Sequence, residues 1–258
     1  MTSPDAPRIA LAIEPPVARI TLQHPPLNVI DIPMMEEMAM AVAEVEQMPA
    51  VSMTVFAGSG SGFSAGVDVA AHKPERVQEM LTKFHAILRA LVNSRKVTLA
   101  AVRGNCLGGG AELAILCDLV VTAETATWGF PEISLGCFPP VAATALAALV
   151  GQKRAAELIL TGRTFDGAEA QRLGLANYST RDAQLETRTE VVLEHLAKLS
   201  PAALAVTKKA MYAWDSMHFD KGLSRAEKVY FEELMWTQDA REGVAAFLEK
   251  RAPKWTGK

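Results

Sequence analysis

The chain has little of what several common functions require. Its three cysteines, Cys106, Cys117 and Cys137, are spaced neither as a disulfide framework nor as a zinc ligand set, so they read as small buried apolar side chains. The five histidines (His24, His72, His85, His195, His218) show no metal spacing either, and no metal is expected. Lysine and arginine total 26 against 29 acidic residues, a formal charge of −3. Without a basic footprint, nucleic acid is not an expected partner. The longest charge-free apolar run, near Cys137 to Val150, is too short for a bilayer and contains Pro139 and Pro140, so no membrane association is expected. Met1 to Pro7 lack the positive and apolar regions of a secretory leader, which makes the cytoplasm the expected compartment.

What is present is a chain of 258 residues, half of them hydrophobic, long enough to bury a full core as one large domain with a small appendage. Residues 8–14 and 17–23 read as two short strands with a turn at Pro15-Pro16. Asp31 precedes a Met- and Ala-rich stretch to Met48 and predicts an N-capped helix. Residues 52–57, 97–102 and 119–122 read as buried strands, and Val77, Leu81, Phe84, Leu88 and Leu91 have helical spacing. This alternation predicts an α/β fold. From Asp182 onward the pattern is nearly all helical: Pro201 opens one helix, Gly222 interrupts another pattern, and Asp239 sits in the first turn of the last.

Three segments could carry chemistry. Gly108-Gly109-Gly110-Ala111-Glu112 follows a buried strand and enters a helix. Glycines allow a tight turn and close approach to a ligand, and the free N–H groups of a helix start suit a phosphate or a developing oxyanion. The spacing is neither a P-loop nor Gly-x-Gly-x-x-Gly. Glu112 reads equally as a first-turn carboxylate that complements the helix dipole or as a functional acid, because buried carboxylates are rare unless paired or functional. The second segment, Phe63-Ser64-Ala65-Gly66-Val67-Asp68, is either an ordinary turn with Asp68 as a cap or a second set of backbone donors. In the third, Trp128-Gly129-Phe130-Pro131-Glu132-Ile133, Glu132 has apolar neighbours that would alter its proton affinity. Taken alone, it reads as an ordinary Pro-Glu helix start. The chemistry left open is carboxylate catalysis with backbone oxyanion stabilisation.

At these residues the sequence resembles the enoyl-CoA hydratase/isomerase (crotonase) superfamily. The resemblance covers essentially the whole chain. It is anchored by residues 63–68, by 104–112 with Cys117-Asp118, by 131–133 with Leu135-Gly136, by 160–162 and by 246–251. It implies an α/β fold of spiralled β-β-α units, with a catalytic core over residues 1–195. A C-terminal helical subdomain over 196–258 would serve oligomerisation and active-site closure, in a homotrimer or homohexamer. By motif position the N–H groups of Val67 and Gly109 form the oxyanion hole for a thioester oxygen, and Glu112 and Glu132 are the catalytic pair. Ala65, Phe247 and Lys250 match substrate-binding positions, the last two holding the coenzyme A nucleotide, often on a neighbouring subunit. The implied substrate is an acyl-CoA thioester, and no cofactor is implied beyond the coenzyme A that enters with it.

Retention of both glutamates favours hydration over isomerisation, because shuttling a proton needs only one base. The sequence departs from the ordinary hydratase pattern after Glu132. A glycine-rich stretch is replaced by Gly136-Cys137-Phe138-Pro139-Pro140-Val141-Ala142-Ala143-Thr144, and prolines remove backbone donors. With residues 25–35, this loop resembles the cyclohexa-1,5-diene-1-carbonyl-CoA hydratase subgroup. That resemblance implies water addition 1,4 across a ring diene to give 6-hydroxycyclohex-1-ene-1-carbonyl-CoA. The alternatives are an isomerase, a hydratase of linear enoyl-CoA, and a catalytically silent acyl-CoA- or RNA-binding relative.

Overall fold

The computed structural model describes residues 6–258, apart from the side chains at 213–217. A six-stranded sheet has the order β1-β2-β3-β4-β6-β9. Strands β1 (Ile9–Glu14) and β2 (Val17–Leu22) form an antiparallel hairpin; β3 (Met53–Gly58), β4 (Val97–Val102), β6 (Leu119–Ala123) and β9 (Tyr178–Thr180) add to it in parallel. Central parallel strands are covered on both faces, which is why β3 and β4 read as apolar runs. Ile20 and Phe56 join the main core, while Met53, Val55, Val97, Leu99 and Val121 face a second cluster with Leu185 and Leu193. A smaller sheet of β5 (Asn105–Leu107), β7 (Thr127–Gly129) and β8 (Thr164–Asp166) carries the segments that matter for chemistry.

The helices are α1 (Ile32–Glu46), α2 (Val77–Asn93), α3 (Gly109–Ile115), α4 (Pro140–Val150), α5 (Gln152–Thr161), α6 (Gly167–Leu173), α7 (Leu185–Ala197), α8 (Pro201–Glu232) and α9 (Gln238–Leu248). The windings β4-β5-α3 and β6-β7-α4 are successive turns of an α/β spiral of β-β-α units, closed by C-terminal helices, as the resemblance implied. Asp31 caps α1 by accepting from the Met34 N–H, and Ser200 with Pro201 opens α8. The boundary expected at 195/196 falls in the last turn of α7. Gly222 does not interrupt a helix, contrary to expectation. Helix α8 runs through it, and a Cβ there would stand 2.6 Å from Thr144 Cγ2 of α4, so the residue is small because two helices approach at that point. Helix α8 packs on α2 and α4. No described helix is long and apolar enough to cross a membrane.

Candidate active site

Two loops are joined by backbone hydrogen bonds into one platform. The Ser64 N–H donates to the Asn105 carbonyl (2.8 Å) and the Leu107 N–H to the Ser64 carbonyl (3.0 Å), while Ala65 donates to Leu27 (2.9 Å). Buried Asn28 holds this loop in place. Its amide donates to the Ser59 and Gly62 carbonyls (2.9 and 2.8 Å), and its own carbonyl accepts from the Ser64 hydroxyl (2.7 Å). Strand β5 then delivers the chain into Gly108, whose φ of +50° is a conformation that side-chain-bearing residues rarely adopt. Gly109 begins α3 directly beside Val67, so close that a Cβ on it would stand 2.6 Å from Val67 Cγ2. Among the described residues no protein acceptor takes up the N–H of Val67 or of Gly109. Two unpaired donors at adjoining residues are what a developing oxyanion needs.

Glu112 follows in the first turn of α3 and is 3% exposed. Its Oε1 accepts from the N–H groups of Val141 (3.0 Å) and Ala142 (2.9 Å) at the start of α4. Burial pushes this carboxyl up to about 7, and the two backbone donors limit the rise. Glu132 lies in the 3-10 turn Pro131–Leu135. The expected Pro-Glu helix start is therefore real, and the same turn also aims the carboxyl inward. As a residue Glu132 is only partly buried, but its Oε2 is shut off from solvent and has no hydrogen-bond partner. Burial, reinforced by the neighbouring Glu112 charge, holds the Glu132 carboxyl well above the usual range. Burial thus biases both carboxyls toward their protonated forms, and of the two Glu112 alone has neighbouring-loop N–H donors that offset it.

Both glutamates line one cavity of about 70 Å³ together with Ala65, Val67 and Gly109. Five of the seven residues singled out in the sequence therefore meet at one place. Phe247, 56% exposed, and exposed Lys250 do not line this cavity; they lie at and just past the C-terminal end of α9. Phe138, Pro139 and Pro140 form part of the wall. The sequence reading missed Tyr230 of α8, which also lines the cavity, and the role of Asn28, whose bonds fix the loop that carries Ala65 and Val67. Among the described residues no cluster of His, Cys, Asp and Glu could hold a metal ion.

The sequence matches the family model described as enoyl-CoA hydratase/isomerase over residues 12–258. It is 37% identical over 237 residues to the cyclohexa-1,5-dienecarbonyl-CoA hydratase of Thauera aromatica, covering 92% of each chain. To a probable enoyl-CoA hydratase of Mycobacterium bovis it is 36% identical over 246 residues, covering 93% of this chain and 94% of that one. The fold is similar to the crystal structure of an enoyl-CoA hydratase from Mycobacterium avium subsp. paratuberculosis, with a TM-score of 0.88 and 27% identity over 96% of this chain and 98% of the other. With the motifs in order along the whole chain and their residues gathered at one cavity, the chain belongs to the enoyl-CoA hydratase/isomerase family.

Proposed function

We propose that the chain is a hydro-lyase that adds water to a conjugated acyl-CoA thioester, with cyclohexa-1,5-diene-1-carbonyl-CoA as its substrate and 6-hydroxycyclohex-1-ene-1-carbonyl-CoA as its product. The observation that carries the reading is the meeting of Glu112 and Glu132 in one cavity beside two free backbone donors. The thioester oxygen accepts from the N–H groups of Val67 and Gly109, each donor contributing about 2.7–4 kcal/mol to a developing oxyanion. Glu112 takes a proton from water while the hydroxide oxygen bonds to the carbon β to the thioester, and the displaced π electrons move toward the carbonyl oxygen. As they return, Glu132 gives its proton to the vinylogous ring carbon, or to the α carbon of a linear substrate. The roles follow from the environments. Two backbone donors favour ionised Glu112, whereas burial and the Glu112 charge keep Glu132 protonated. Only protons and the substrate's own π electrons move, so the proposal needs no cofactor beyond the substrate's coenzyme A.

The cyclic substrate is supported by the small cavity, by its Phe138, Pro139 and Pro140 wall, and by the similarity to the Thauera aromatica hydratase. The similarity to the Mycobacterium bovis protein favours a linear enoyl thioester as the second reading. The proposal assigns the coenzyme A nucleotide to Phe247 and Lys250, in a homotrimer or homohexamer where a neighbour's active site can use them. It assigns residues 196–258 to closing the site and to subunit contacts, and the cytoplasm as compartment, in keeping with three free cysteines. The test is product analysis in heavy-oxygen water with cyclic dienoyl and linear enoyl thioesters. A labelled alcohol from the cyclic substrate supports the reading, a labelled alcohol from the linear one alone selects the second, and an unlabelled isomer overturns both.

A further inference from the structure

Tyr230, near the C-terminal end of α8, is 1% exposed, and its hydroxyl has no hydrogen-bond partner. Leaving a buried hydroxyl unpaired costs about 1–3 kcal/mol, so such a group calls for a ligand that completes it. The Cys137 sulfur beside it is only a weak acceptor, itself turned to the Leu135 carbonyl (3.6 Å), and leaves the hydroxyl without a strong partner. The ring is fixed against Phe138, with centroids 5.2 Å apart and planes at 60°. Among the described residues that line the catalytic cavity, Tyr230 carries the only hydroxyl, and both Glu132 and Glu112 lie within electrostatic reach of it. The neighbouring wall residues Pro139 and Pro140 have no N–H to offer. Of the other polar side chains in the lining, the two glutamates are the acid–base pair, and Nδ1 of His72 is engaged by the Asp68 carbonyl (3.1 Å).

The substrate narrows the possible partners. On the hydration reading, on which this inference rests, the acyl group is hydrocarbon apart from its thioester oxygen, and that oxygen belongs to Val67 and Gly109. The remaining polar species in the chamber is the reacting water, which becomes the product hydroxyl. We propose that the Tyr230 hydroxyl donates a hydrogen bond to this oxygen. It would hold the water between Glu112 and the acyl carbon, and it would grip the hydroxyl of the product. Burial raises the phenol well above its usual range, so it remains a neutral donor throughout the working pH range.

The experiment uses Tyr230→Phe, which removes only the oxygen, with Tyr230→Met as a second variant lacking a donor. Turnover is measured on cyclohexa-1,5-diene-1-carbonyl-CoA or crotonyl-CoA, whichever the wild type hydrates faster. Calorimetry compares binding of the corresponding hydroxyacyl-CoA and saturated acyl-CoA. The expected result for Tyr230→Phe is a kcat lower by about tenfold to a hundredfold and an unchanged or higher Tm, since an unpaired polar atom has left the core. The wild type's preference for the hydroxylated ligand, about threefold to tenfold for one hydrogen bond, should fall to parity in both variants. A Tyr230→Phe enzyme with wild-type kcat and an intact preference would overturn the assignment. A wild type that forms no alcohol would instead overturn the hydration reading, and the two failures are distinct.

Discussion

Glu132 Oε1 lies where a side chain on Gly108 would begin: a Cβ built at Gly108 would stand 2.6 Å from it. The glycine that turns the chain into α3 is therefore also the floor under the proposed acid. Gly108→Ala should lower turnover at least tenfold by displacing the Glu132 carboxyl, and should destabilise the fold by about 1 kcal/mol or more, because the φ of +50° is strained for alanine. Steady-state kinetics and thermal melting check both effects. Wild-type values would show that Glu132 has room to move without consequence.

Gly109→Ala acts on the opposite partner. The new methyl would meet Val67 Cγ2 at 2.6 Å and the Phe84 ring at 3.2 Å, forcing apart the two backbone donors. Loss of one oxyanion donor typically lowers kcat by about 10²–10³. The infrared carbonyl band of a bound thioester should shift back toward its value in water. An unshifted band with normal kcat would detach these N–H groups from the thioester oxygen.

Phe138 lines both the catalytic cavity and a larger one of about 670 Å³ bordered by α3, α4 and α8. Removing its ring joins the two spaces. Phe138→Ala should raise kcat/KM for a long linear enoyl-CoA relative to crotonyl-CoA by about tenfold or more, an apolar contact of several methylenes being worth that much. An unchanged ratio would mean that the acyl group points elsewhere.

The pH dependence follows from the two raised carboxyls. Activity needs Glu112 ionised and Glu132 protonated, so kcat/KM should rise as pH passes about 7 and fall again where Glu132 loses its proton, with apparent values that belong to the pair. Stability moves the other way. A folded chain whose carboxyls titrate above their unfolded values holds protons that the unfolded chain releases. Their contribution is complete below about pH 4.5 and is lost as pH rises through about 7, on the order of 3 kcal/mol for Glu112. Glu132→Gln should therefore raise Tm at pH 8 and not at pH 4. Equal Tm changes at both pH values would contradict the shifted carboxyl.

The parts of the fold ruled by local chemistry were legible in the sequence. Asp31 caps α1, Pro201 opens α8, and β4 occupies the apolar run at 97–102. The triple glycine with Glu112 was legible for the same reason, since turn, helix start and carboxylate are adjacent in the chain. Glu132 was singled out only through the family resemblance, because a Pro-Glu helix start is the same locally whether its carboxyl faces water or Gly108. Gly222 misled because its smallness serves a contact with Thr144 of α4 rather than the local backbone. Tyr230 gave no signal at all: an aromatic in a helical pattern is ordinary, and only the packing of α8 brings its hydroxyl to the cavity. Asn28 was hidden in the same way, its role resting on bonds to Ser59, Gly62 and Ser64.

The central claim is that Glu112 and Glu132 together hydrate a conjugated thioester, and it is tested most directly by turnover and calorimetric binding for Glu112→Gln, Glu132→Gln and the double variant. Each single change should lower kcat by about 10²–10⁴-fold, the range for loss of a positioned acid or base, while thioester affinity stays within about fivefold because the Val67 and Gly109 donors remain. A double variant that still forms the alcohol at a wild-type rate would contradict the account.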